Sequence, residues 1–178
     1  MAQISAKVCL LGEFAVGKTS LVRRFVYDAF DDRYISTIGV KVSRKTVIVP
    51  HEGGPIDVSL ILWDLAGSEE FSRLRASYFR GAAGAVLVCD VTRLETLEGL
   101  LSYARDLAQI RPEACFLLAG NKCDLVDEQQ VTLADLEGAA AAIEGEMGCG
   151  SVPCYLTSAL TGREVETLFR RLADQVTG

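Results

Sequence analysis

This chain of 178 residues is short of several things, and each shortage removes a class of function. It has one histidine, His51, in a polar turn, and no C-x-x-C pair among its six cysteines, so no metal-ligand spacing is visible. It lacks a basic excess. With 18 Lys and Arg against 24 Asp and Glu, the net charge is −6, and the sequence pI is near 4.9. A nucleic-acid binder would show a basic stripe, and a membrane-surface protein a polybasic run. No apolar run approaches the ~20 residues of a spanning helix, and the amino terminus has no signal-peptide pattern. There are no repeats, no linker and no low-complexity stretch.

The remainder is ordinary globular protein, with 49% hydrophobic and 24% charged residues. The length suits a single domain, 1–178, with a proper core. Cys9, Cys89, Cys115 and Cys154 lie in or beside apolar runs, where cysteine acts as a small hydrophobe; free thiols fit a reducing cytoplasm. Cys123 lies inside a motif described below, where oxidation would perturb ligand exchange.

Strands read near 4–11, 40–49, 56–63, 84–90, 114–119 and 152–157, and helices near 17–27, 69–79, 94–110, 133–147 and 162–176. Alternation of strands and helices predicts an α/β fold with a mostly parallel six-stranded sheet covered on both faces. One antiparallel edge strand follows from the glycine-rich turn His51-Glu52-Gly53-Gly54-Pro55, which reads as a hairpin. Thr161 and Glu164 have capping-box spacing for the last helix.

Four motifs occur in fixed order. Gly12-Glu13-Phe14-Ala15-Val16-Gly17-Lys18-Thr19 matches G-x-x-x-x-G-K-[ST] between a strand and a helix, where backbone N–H groups and the helix dipole can cradle phosphates. Lys18 reaches the β- and γ-phosphates, and the Thr19 hydroxyl suits Mg²⁺. Asp64-Leu65-Ala66-Gly67 follows an apolar strand; Asp64 is a water-mediated Mg²⁺ partner, and the Gly67 N–H can approach a γ-phosphate.

Asn121-Lys122-Cys123-Asp124 ends another strand at the carboxyl edge, where open α/β sheets bind ligands. Guanine presents N1–H and an N2 amino group side by side, and the Asp124 carboxylate accepts both. Adenine offers an acceptor at N1 and would leave that carboxylate unpaired. Lys122 lies along the purine, and Asn121 ties the phosphate loop to the base loop. In Thr157-Ser158-Ala159 the Ala159 N–H suits guanine O6.

With these four motifs in this order, the chain resembles a Ras-superfamily small GTPase, closest to the Rab branch, from Lys7 to about Val176. Tyr34-Ile35-Ser36-Thr37-Ile38-Gly39-Val40 resembles the Rab first switch. Trp63-Asp64 with Ser77-Tyr78-Phe79-Arg80-Gly81-Ala82 resembles the second. The resemblance implies a P-loop NTPase fold and a GTP/GDP-binding switch with Mg²⁺. Its nucleotide contacts would be Ala15, Val16, Gly17, Lys18, Thr19, Ser20, Phe30, Tyr34, Thr37, Gly67, Asn121, Lys122, Asp124, Ser158, Ala159 and Leu160. Mg²⁺ would be held by Thr19, Thr37 and Asp64. Effectors would meet Val42, Trp63 and Tyr78, with an exchange factor and an activating protein as further partners.

Departures matter as much. Ser68 stands where the family carries a catalytic glutamine, beside Gly67 and with Thr37 in the catalytic set, so slow hydrolysis is expected. Phe14 is bulky at a position usually small, Val42 replaces a phenylalanine of the effector triad, and the hairpin tip is longer than in a typical Rab. The sequence as given ends without cysteine or a basic tail, and Met1-Ala2 excludes myristoylation. The expectation is therefore a cytoplasmic protein with no direct lipid anchor, reaching membranes only through a removed tail or a partner. Two other readings stay open on the sequence: a non-hydrolysing GTP-bound interaction module, and an ATP-dependent P-loop enzyme.

Overall fold

Why the apolar runs become strands buried on both faces is clearest in the central one. In a computed structural model describing residues 2–31, 39–67 and 75–178 (backbone only at 75), β1 spans Gln3–Leu11. Val8 and Leu10 enter one core while Cys9 and Leu11 enter the other, as a two-residue period requires. The remaining strands are β2 Val40–Val49, β3 Ile56–Leu65, β4 Ala82–Asp90, β5 Cys115–Asn121 and β6 Cys154–Leu156. The helices are α1 Lys18–Tyr27, α2 Arg75–Phe79, α3 Leu94–Glu98, α4 Leu100–Ile110, α5 Leu133–Met147 and α6 Val165–Gln175.

The sheet order is β2-β3-β1-β4-β5-β6. Only β2 pairs antiparallel, with β3; the other neighbours are parallel. One face packs α1 and α6 through Leu21, Phe25, Leu168 and Phe169, with the rings of Phe25 and Phe169 stacked 4.2 Å apart. The other packs α3, α4 and α5 through Leu97, Leu100, Leu107, Leu136 and Ile143. Strand order reverses between β1 and β4, so a crevice opens at their carboxyl ends. The expected fold class is thus observed.

Three local expectations need correction. The capping box at Thr161 and Glu164 does not form: α6 starts at Val165, and Glu164 precedes it at φ 58° with no side-chain cap. The reason is competition. Thr161 N donates to Ser158 Oγ, Gly162 N to Ser158 O and Ser158 N to Arg163 O, so this stretch is committed to a loop closed on Ser158. The helix expected over 94–110 is broken at Gly99, the poorest helix former in that stretch. Asp64 does not follow its strand but lies inside β3, which runs to Leu65 because β2 pairs with it that far. Of the helix expected over 69–79, residues 69–74 lie outside the described residues.

A capping box does form at α5, where Asp135 N donates to Thr132 Oγ1 and Thr132 N to Asp135 Oδ2. Thr132→Ala should cost about 1 kcal/mol. In a domain of this size that is a fall of about 2–4 °C in thermal midpoint. An unchanged midpoint would show that the box contributes nothing.

Candidate nucleotide site

The phosphate loop leaves the end of β1 and enters α1 at Lys18. Ala15 and Gly17 sit at φ 61° and 101°. Left-handed conformations interleaved with ordinary ones turn successive N–H groups to the same side, making an anion-binding nest. Gly17 has a second constraint, since a Cβ there would lie 2.2 Å from Asn121 Nδ2. The base motif therefore packs directly on the loop. Lys18 is buried, and its ammonium donates to Gly12 O at 2.7 Å and Glu13 O at 2.9 Å, across the mouth of the loop.

Thr19 Oγ1 donates to Asp64 Oδ2, so the two side chains expected at Mg²⁺ meet. The other carboxylate oxygen of Asp64 is buried without a hydrogen-bond partner. Burial pushes this carboxyl above its usual range, against the opposing Thr19 hydrogen bond and the charges of Lys18 and Lys41. A buried carboxylate with one orphan oxygen beside a hydroxyl is an oxygen donor set that suits Mg²⁺. Gly67 packs so closely that a Cβ would meet Phe14 N at 2.6 Å and the Glu13 carbonyl carbon at 2.7 Å. The start of the second switch thus lies on the backbone of the phosphate loop.

At the base end, Asn121 closes β5. Its amide donates to Val16 O at 3.0 Å, while its oxygen accepts from Thr157 Oγ1 at 3.2 Å. Lys122 stands at φ 67° and donates to Ala15 O at 2.8 Å. Ser158 Oγ donates to Asp124 Oδ1 at 2.7 Å and fixes the carboxylate that would read guanine. Ala159 is buried, whereas Phe30 and Leu160 are exposed. Tyr34, Thr37 and Ser68 lie outside the described residues. Cys123 is buried, and that burial raises its thiol, which keeps it from the reactive thiolate form. All six cysteines are free, and burial pushes Cys9 and Cys89 up to about 12.

Three contributors went unread in the sequence. Arg24, on α1, donates to Ala159 O and Leu160 O at 2.8 Å each and so shapes the loop expected to face the base. Asp90 ends β4, and Arg93 precedes α3. Asp90 Oδ2 pairs with Lys122 Nζ at 2.8 Å. Burial alone would raise its carboxyl, but hydrogen bonds from Lys122 and Thr92 hold it below the usual carboxylate range. A signal for Asp90 was available, because a carboxylate ending an apolar parallel strand faces the ligand crevice.

On the effector side, Val42 is 50% exposed and pairs with Trp63 across β2 and β3. The rings of Trp63 and Tyr78 lie 6.0 Å apart, and Lys7 Nζ sits 3.8 Å over the indole. The three residues singled out for partner contact form one patch.

A strand-loop-helix nest holding a buried lysine, with a carboxylate oriented by Ser158 at the same sheet edge, is the arrangement of a P-loop nucleotide-binding protein. The sequence profile of the Ras family matches residues 7–178, and the chain belongs to that family. It is 38% identical to the Ras-related protein Rab-31 of Mus musculus and of Homo sapiens over 177 residues, 99% of this chain and 85% of theirs. It is 42% identical to the Ras-related protein Rab-22A of Mus musculus over 144 residues, 80% of this chain and 72% of that one. The chain is thus a Rab-like small GTPase, a GTP/GDP-binding switch that hydrolyses GTP. Guanine-nucleotide binding and Mg²⁺ are typical of the family, as are effectors, exchange factors and activating proteins. The ATP reading falls. No helix among the described residues is long and apolar enough to cross a membrane.

Proposed function

We propose that residues 1–178 form a single G domain whose nucleotide is held by the residues named in the sequence, and that its intrinsic GTP hydrolysis is slow. One observation supports this assignment best: Lys122 and Asn121 of the base motif donate to Ala15 O and Val16 O of the phosphate loop. The phosphate and base halves are therefore braced as one continuous site. Ala15 to Ser20 would surround the phosphates, with Lys18 neutralising charge between them. Thr19, Asp64 and Thr37 would hold Mg²⁺, which when bound shields the phosphate oxygens. Asn121, Lys122, Asp124, Ser158, Ala159 and Leu160 would hold the base, with Phe30 at its edge and Tyr34 over the phosphates.

Thr37 and Gly67 would follow the γ-phosphate and release on its loss, the order change expected of a switch. Slow hydrolysis follows from Ser68, whose side chain is too short for the glutamine's task of positioning water. An activating protein supplying glutamine and arginine in trans would restore the rate. Membrane association would come through a partner or a lipidated segment.

Binding of GDP, GTP and ATP to nucleotide-free protein, with Mg²⁺ and with chelator, tests the assignment. GDP and GTP should bind far more tightly than ATP and lose affinity on chelation. Equal affinity for ATP would sink it.

The patch of Val42, Trp63 and Tyr78 is proposed as the effector surface. Trp63 directly precedes Asp64 and carries the chain's only indole, so its emission should report the state of the second switch. Exchange of GDP for a non-hydrolysable GTP analogue should shift that emission. Identical spectra and identical hydrogen exchange in the two states would argue against coupling between this patch and the nucleotide.

A further inference from the structure

Three consecutive carbonyls of the phosphate loop are each pulled outward by a side chain. Phe14 O accepts from Arg93 Nη2 at 2.8 Å, Ala15 O from Lys122 Nζ at 2.8 Å, and Val16 O from Asn121 Nδ2 at 3.0 Å. In a trans peptide the C=O and the following N–H point in opposite directions, and no peptide bond among the described residues is cis. Holding the Phe14 carbonyl therefore aims the Ala15 N–H inward, as Lys122 aims that of Val16 and Asn121 that of Gly17.

Two of the three donors belong to the base motif; Arg93 does not. It is anchored by Asp90, which is 2% exposed and whose Oδ2 meets both Arg93 Nε, at 3.3 Å, and Lys122 Nζ, at 2.8 Å. The other oxygen of Asp90 accepts from Thr92 N and Thr92 Oγ1. The Arg93 backbone is fixed as well, because its N–H donates to Asp90 O and its carbonyl accepts from Thr96 N and Thr96 Oγ1. One buried carboxylate thus fastens two cations that orient neighbouring peptides of the nest.

We propose that Arg93, held by Asp90, is a positioning residue that latches the Phe14–Ala15 peptide and so sets how long the nucleoside diphosphate stays bound. This rests on residues 12–19 being the phosphate loop, as proposed above. The latch acts on the phosphates and leaves the reading of the base to Asp124. An arginine suits the task because its planar fork presents separate N–H groups, Nε to the carboxylate and Nη2 to the carbonyl.

Release of fluorescently labelled GDP, chased by excess GDP with Mg²⁺, tests the latch. Arg93→Met should speed release about tenfold, ~1.4 kcal/mol, and Arg93→Lys should recover part of that. The ratio of affinities for GDP and for the inosine diphosphate, which lacks the N2 amino group, should stay at the wild-type value in both variants. Lys18→Ala, the control on the underlying assignment, should abolish binding. Release by Arg93→Met within twofold of wild type, while Lys18→Ala has lost binding, would overturn the latch alone. A changed GDP-to-IDP ratio would overturn its placement on the phosphates. Wild-type affinity in Lys18→Ala would overturn the assignment of the phosphate loop, and the latch with it.

Discussion

Asp124→Asn should weaken GDP binding about a thousandfold and raise affinity for xanthosine diphosphate at the same time. In the proposed site the carboxylate would accept two adjacent guanine donors, N1–H and N2–H. Hydrogen bonds to a charged partner contribute about 1.5–3 kcal/mol each, and an unmatched buried donor costs a similar amount. Loss of one bond, with an amide N–H set against the N2 amino group, amounts to about 4 kcal/mol, or roughly a thousandfold in affinity. Xanthine keeps N1–H but carries a carbonyl at C2, so the same asparagine offers it an acceptor and a donor in the right order. The geometry favours a clean exchange because Ser158 Oγ holds Oδ1 at 2.7 Å, and an asparagine oxygen can accept the same bond. Titration of nucleotide-free protein with GDP and XDP measures both limbs. Unchanged GDP affinity in a variant with the wild-type melting curve would mean that Asp124 does not read the base.

Ser68→Gln should raise single-turnover GTP hydrolysis about a hundredfold, the rate equivalent of ~3 kcal/mol of transition-state stabilisation. Phosphoryl transfer needs little covalent chemistry from the protein, so positioning of the attacking water is most of what it contributes. A serine at the same backbone position is several bonds short of that water. Glu69 and Glu70 are long enough, but their charge is repelled by the γ-phosphate. Phe14 should compound the defect: it is 49% exposed, and its backbone lies against Gly67, the residue before Ser68. The gain should therefore be larger in the double variant with Phe14→Gly. That change removes the ring and leaves the Phe14 carbonyl, and so the Arg93 bond, in place. If neither variant hydrolyses faster than wild type, another group already positions the water and the proposed slow step is wrong.

Much of this site was legible in one dimension because its chemistry is carried by short contiguous loops. A nest of N–H groups needs consecutive residues, and a base-reading carboxylate needs only a strand end to stand on. The strands were legible for a related reason: parallel strands buried on both faces are continuous apolar runs, and β4 and β5 are nearly free of polar interruption. The misreadings arose where local donors had competing acceptors. Thr161 has the spacing of a cap, yet Ser158 takes its N–H. Asp64 reads as the residue after a strand ending at Trp63, yet pairing with β2 carries β3 two residues further, to Leu65.

By itself, then, the sequence determined the class of ligand, the order of the sheet-forming segments and the residues proposed to face phosphate and guanine, since each depends on neighbours within a few positions. Only the tertiary structure decided what braces them. Arg24 reaches Leu160 across 136 positions, Lys122 reaches Ala15 across 107, and Arg93 reaches Phe14 across 79. No local pattern marks such pairs, because a surface arginine and a bracing arginine look alike until the sheet brings the carboxyl ends of β1, β4 and β5 to one edge. There the buried Asp90 gains two cations, and those cations gain the carbonyls of the loop that β1 delivers.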